Sequence, residues 1–152
     1  MKKSTILKII LFTIWLVTII TYLNFGGGTY LKEMKLLKNG VVFEGKILKI
    51  YTSNNHNFGL ILVKITSSNK KTFKKRLPEN IFPYQIKDSI AEIYTIIDFE
   101  ENYINKHIKL ISDKEKIYII DQNKHIISSS GIRIQDGGDD AKFIKENTIL
   151  DY

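Results

Sequence analysis

Five positive charges crowd into seven residues at Lys70-Lys71-Thr72-Phe73-Lys74-Lys75-Arg76, the sharpest candidate for chemistry in the chain. Lysine and arginine neutralise phosphate or carboxylate, and an aromatic among them can stack a base. A strand of this make-up could therefore hold single-stranded nucleic acid. The same charges could lie against anionic lipid headgroups, at about 1 kcal/mol per basic residue near the surface. Strand geometry argues for a plainer role, because Lys71, Phe73 and Lys75 share one face and Thr72, Lys74 and Arg76 the other. Charge on both faces is how an edge strand guards itself against pairing with another sheet. The candidate anion-binding residues are Lys70, Lys71, Lys74, Lys75 and Arg76, with edge protection as the default role. Nucleic acid is the least favoured ligand for a domain expected outside the cell.

Other groupings carry less. His56, His107 and His125 stand at no metal-ligand spacing to one another, and no cysteine can complete a thiolate site, so no metal or cofactor is expected. His56 sits among asparagines in a turn-forming run and, with Phe73, is the candidate for surface recognition. Asp136-Gly137-Gly138-Asp139-Asp140 offers carboxylates around a diglycine, but the EF-hand spacing is absent and a solvated turn is expected. Ser128-Ser129-Ser130-Gly131 lacks the nucleophile elbow, Glu100 and Glu101 are mere chain neighbours, and no phosphate-binding glycine loop occurs. These absences favour a non-enzymatic reading. An unrecognised envelope enzyme assembled from scattered residues is the third-ranked alternative.

The segment expected to place these residues in the cell is Ile6–Leu23, ILKIILFTIWLVTIITYL, whose one charge is Lys8. As a helix its 18 residues reach about 27 Å, close to the ~30 Å hydrocarbon core of a bilayer. With no polar face, it reads as an uncleaved transmembrane anchor rather than a buried helix. Secretion after signal cleavage is the alternative, although no Ala-x-Ala site follows. Lipoprotein processing would need a cysteine, and there is none. Lysines tie at three on either side of the span, and the α-amino group tips the N-terminus towards the cytoplasm. The remaining domain is then expected outside the plasma (inner) membrane.

The whole chain carries 23 basic and 16 acidic side chains in 152 residues. Setting aside the three lysines of the anchor region leaves the rest with a mild excess of four positive charges. That excess does not by itself call for a nucleic-acid partner. The absence of cysteine excludes disulfides, and the absence of any Asn-x-Ser/Thr acceptor fits a bacterial envelope better than a eukaryotic secretory route.

Beyond the anchor (1–25), Gly26-Gly27-Gly28 reads as a hinge, followed to residue 40 by a short amphipathic helix ended by Asn39-Gly40. Residues 41–135 read as one β-rich domain. Strands are expected at Val41–Tyr51, Phe58–Thr66, Lys71–Leu77, Ile90–Ile97, Asn105–Ser112 and Lys116–Ile120, with shorter ones around Ile126 and Ile132. Pro78–Ser89 reads as a connector, and 136–152 as an extension of either helix or strand. A long first strand broken by Gly45, ahead of four or more short strands, resembles the layout of an OB-type barrel. The resemblance implies a small β-barrel, a β-sandwich being the alternative, and no activity. Together these readings lead to a single-pass membrane-anchored β-domain that binds a protein partner or serves as a structural accessory.

Overall fold

The computed structural model describes residues 3–54, 56–96 and 103–150, with first-helix side chains described for residues 5, 6, 8–22 and from 31 onward. The chain divides into two compact units, residues 1–36 and 37–152.

The first unit is helix α1, which spans Lys3–Leu37. Its residues Ile9 to Val17 and Ile20 include nine large apolar side chains between 43% and 61% exposed, so no face is polar. The hydroxyls of Thr13, Thr18 and Thr21 donate to the carbonyls of Ile9, Ile14 and Val17 at 2.8–2.9 Å, which takes them out of competition for water. Among the described residues no helix is long and apolar enough to cross a membrane. Leu7 and Leu23 of the expected span lie outside the described side chains, so the structure does not establish a transmembrane helix. Nor does the helix break at the expected hinge: it continues through Gly26, Gly27 and Gly28. Glycine weakens a helix by only about 1 kcal/mol each against alanine, which neighbouring helical turns can absorb.

The second unit is built on one antiparallel sheet. Its strands are β1 (Val42–Thr52), β2 (Phe58–Ser68), β3 (Thr72–Phe73), β5 (Tyr84–Lys87), β6 (Ile90–Ile96), β7 (His107–Ile111), β8 (Lys116–Ile120) and β9 (Ile126–Gly131). They lie in the order β3-β5-β6-β2-β1-β7-β8-β9. A separate pair joins β4 (Asn80–Ile81) to β10 (Gln135–Asp136), and helix α2 (Gly138–Asn147) follows. The expected OB-like barrel is not closed. The edge strands β3 and β9 lie at opposite ends of the order, and β3 is only two residues long, too short to carry the ladder round. The strand expected over Lys71–Leu77 stops at Phe73, and the expected connector instead supplies β4 and β5.

Strand β1 has the long, bent form that its glycine foretold. It pairs with β2 along its length and with β7 over its first half, with register shifts at Glu44/Gly45 and Ile47/Lys49. A Cβ at Gly45 would overlap the Lys64 carbonyl oxygen and Val63 Cγ1, so only glycine lets β1 and β2 approach at the bend.

The first six residues of β2 and most of β6 are buried on both faces, as their near-continuous apolar sequences require. On one face Phe58, Leu60, Leu62 and Tyr94 pack with Ile81 of β4 and Ile144 of α2. The other face carries Ile61, Val63, Ala91 and Ile93, buried along with Phe43, Ile47, Ile108, Leu110, Ile117 and Ile119 from β1, β7 and β8. The segment entering β1 is tied down by side chains. Asp113 accepts from the Gly40 N–H at 2.8 Å, Asn69 bonds Gly40 O and Val42 N, and Tyr84 donates to Asn39 Oδ1 at 2.8 Å.

Candidate functional site

The basic run lies where edge protection would put it. Thr72 and Phe73 form the outermost strand, and Lys70, Lys71, Lys74 and Arg76 are exposed. Phe73 is not offered to a ligand. It stacks on Tyr84 at 5.2 Å between ring centroids and packs on Phe82 at 5.5 Å, while Phe82 and Tyr84 meet edge-on at 5.0 Å. This three-ring cluster holds the sheet edge to the chain that turns beneath it.

Beyond Phe73 the chain leaves the sheet, and this departure creates a cavity of about 230 Å³. Lys74, Lys75, Arg76 and Leu77 border it from the departing segment, and Lys145 does so from the last turn of α2. Phe82, Tyr84 and Tyr94 supply aromatic wall, and Asn80 and Gln85 supply amides; none of these lining residues is a carboxylate. Lys75 Nζ stands 5.9 Å from the Phe82 ring centroid, within cation–π reach. Neither Arg76 nor Lys145 forms an ion pair among the described residues. The neighbouring hollow of about 310 Å³ on the other side of Lys74 has mixed charge, with Asp88 beside Lys87.

Behind the wall lies Glu92, fully buried in β6. Its Oε2 accepts from Tyr94 Oη at 2.7 Å, Gln85 Nε2 at 2.9 Å and Thr148 Oγ1 at 2.6 Å. Its Oε1 accepts from the backbone N–H groups of Ile149 at 2.8 Å and Leu150 at 3.3 Å. Gln85 Nε2 also donates to Tyr94 Oη at 2.6 Å. A buried carboxylate without such donors would be strongly disfavoured, and here donors surround it. The arrangement does two things. It fixes Gln85 and Tyr94 in the cavity wall, and it straps the chain after α2 to the sheet, which holds Lys145 at the cavity mouth.

Burial pushes the Tyr94 hydroxyl well above its ordinary range, with the adjacent Glu92 charge and hydrogen bond adding to the shift. Tyr84 is pushed up to about 12, chiefly by burial. Both phenols are therefore neutral hydrogen-bonding groups at any physiological pH.

The remaining candidates scatter. His56 is exposed at the β1–β2 hairpin tip in left-handed backbone (φ 47), His107 is exposed on β7, and His125 Nδ1 lies 3.6 Å from Asp121. Among the described residues no three His, Asp or Glu side chains gather as metal ligands. Asp136 to Asp140 is the β10–α2 junction, not a free turn. A Cβ on Gly137 would overlap the Glu79 carbonyl, and Asp139 and Asp140 occupy the first turn of α2, where the helix dipole favours them. Glu100 and Glu101 lie outside the described residues.

Gln85, Glu92, Tyr94 and Lys145 were not reached by sequence reasoning. For Glu92 a signal existed: it is the one charge inside the apolar run of β6, Ile90–Ile96. Nothing in the sequence ties Lys145 to the basic run 69 residues earlier. No family model, no curated protein and no solved structure matches the chain.

Proposed function

We propose that this chain is a non-enzymatic, membrane-tethered binding protein whose β-domain holds a small anionic ligand in the cavity beside β3. The observation that carries this reading is the convergence of Lys74, Lys75, Arg76 and Lys145 on one aromatic-walled cavity with no carboxylate in its lining. Two stretches distant in sequence are brought to one opening, whereas edge protection needs only the first. Like charges gathered this way repel one another, and an anion between them relieves that repulsion.

The tether is supported by α1, apolar around its circumference with its threonine hydroxyls turned onto its own backbone. A helix with no polar face needs lipid or protein around it. An envelope location, with the N-terminus on the cytoplasmic side of the plasma membrane, remains part of the proposal. A second reading, a docked protein partner, is favoured by β9, the other sheet edge, where Ile126 and Ile127 are 61% and 45% exposed.

The test is the unfolding temperature of the full-length protein in mild detergent, followed as sulfate is added at constant ionic strength. A saturable rise that disappears in the Lys75→Gln/Arg76→Gln/Lys145→Gln variant is expected. An equal rise in that variant would show that the anion acts elsewhere.

A further inference from the structure

We infer that the cavity is built for a phosphate monoester on a small organic body about one ring in size, with the phosphate among Arg76, Lys75 and Lys145 and the body against the aromatic wall. This deepens the anion-binding reading, on which it rests, by naming the ligand class.

Charge and direction come first. The cations arrive from two separate elements, the segment after β3 and the end of α2. A carboxylate presents one charge on two coplanar oxygens. A phosphate monoester presents nearly two charges on three oxygens pointing apart, which donors from separate segments can share. Arginine's planar fork favours the same partner. One buried carboxylate, Glu92, stands behind the wall, but its oxygens are engaged by Tyr94, Gln85, Thr148 and the backbone, and four cations outnumber it.

Size comes second. The cavity is partly open and measures about 230 Å³. A bare phosphate leaves part of that space empty, and a drug-sized ligand wants ~300–1,000 Å³. A phosphate carrying a few more heavy atoms fits between these limits.

The third argument is the lining. Phe82, Tyr84 and Tyr94 are almost fully buried, so they floor the cavity with apolar surface rather than opening a stacking face, and the Asn80 amide can bond a hydroxyl on the body. A strand of nucleic acid fits poorly, because it needs an open groove with a free stacking ring, and Phe73 is committed to Tyr84.

A free small molecule and a lipid headgroup can present the same phosphate monoester. The test is calorimetric titration of the full-length chain, in nanodiscs of zwitterionic lipid, with phenyl phosphate, inorganic phosphate and benzoate. Phenyl phosphate is expected to bind one-to-one, roughly tenfold or more tighter than either of the others. Arg76→Gln combined with Lys145→Gln should weaken phenyl phosphate by roughly tenfold or more without lowering the unfolding midpoint, since both side chains are exposed. Nanodiscs doped with phosphatidic acid distinguish the source: competition with phenyl phosphate assigns a lipid headgroup, and its absence assigns a free phosphate. If benzoate or inorganic phosphate binds as tightly as phenyl phosphate, the ligand class is wrong while the anion site stands. If none of the three binds, the anion-binding reading fails with it.

Discussion

Glu92 is buried in β6, where five hydrogen bonds converge on its carboxylate. Its carboxylate joins β5, β6 and the chain after α2 through donors on Gln85, Tyr94, Thr148, Ile149 and Leu150. Replacing it with Gln keeps the volume but turns an amide NH₂ towards groups that already donate. With charge-assisted hydrogen bonds at about 1.5–3 kcal/mol each, Glu92→Gln should lower stability by about 2 kcal/mol or more, read as a lower urea midpoint at unchanged slope. It should also weaken anion binding, because Lys145 loses its anchor. A variant as stable as wild type would mean that the strap is not held by this carboxylate. Tyr84 gives a second, independent readout. Unfolded, its phenol ionises near 10.0; folded, it keeps its proton to about 12. Between those values only the unfolded chain releases the proton, so this contribution is complete below pH 10 and is lost as pH rises towards 12. The two-unit shift corresponds to roughly 3 kcal/mol. Urea midpoints should fall across that window, and fall less in Tyr84→Phe; some slope should persist, because Tyr94 is raised as well. An identical slope in the two proteins would contradict the assignment.

Among the elements, β1 shows what a sequence can reveal. Its glycine sits inside a β-branched run, and such a glycine marks either a bend or a close approach. At Gly45 it marks both. Gly45→Ala must push the Lys64 backbone aside, and overpacking of this kind should cost about 2 kcal/mol, measurable by chemical denaturation. Wild-type stability in that variant would mean that β2 can move away freely. Strands β2, β6, β7 and β8 were equally legible, because each is an apolar run between turn formers. The failures have physical causes too. Lys71 to Leu77 lies between turn formers as an edge strand would, yet Phe73 commits to a ring cluster and the chain turns away after it. The Pro-containing stretch after it reads as a loop, but Tyr84–Lys87 is a strand because it meets Ile90–Ile93 across a tight turn with Asp88 in left-handed backbone. Pairing partners far apart in sequence, such as β4 with β10, leave no local trace.

At the scale of the molecule, the expected barrel fails because closure needs two edges long enough to pair. The sheet stays open, with a two-residue edge flanked by lysines at one end and serine-rich β9 at the other. What closes the exposed face of β2 and β6 is the late part of the chain, β10 and α2, together with β4. That late addition completes the rim of the cavity, since Lys145 arrives with α2. Half of the site was therefore visible in the sequence as Lys74-Lys75-Arg76, and the other half became visible only in the folded chain. The most direct measurement is a crystal structure of the full-length chain grown with arsenate, a phosphate mimic whose arsenic can be located by anomalous scattering. An arsenic peak between Arg76 and Lys145, within hydrogen-bond reach of both through its oxygens, is the expected result. A fully occupied peak elsewhere, or an empty cavity at saturating arsenate, would contradict the account.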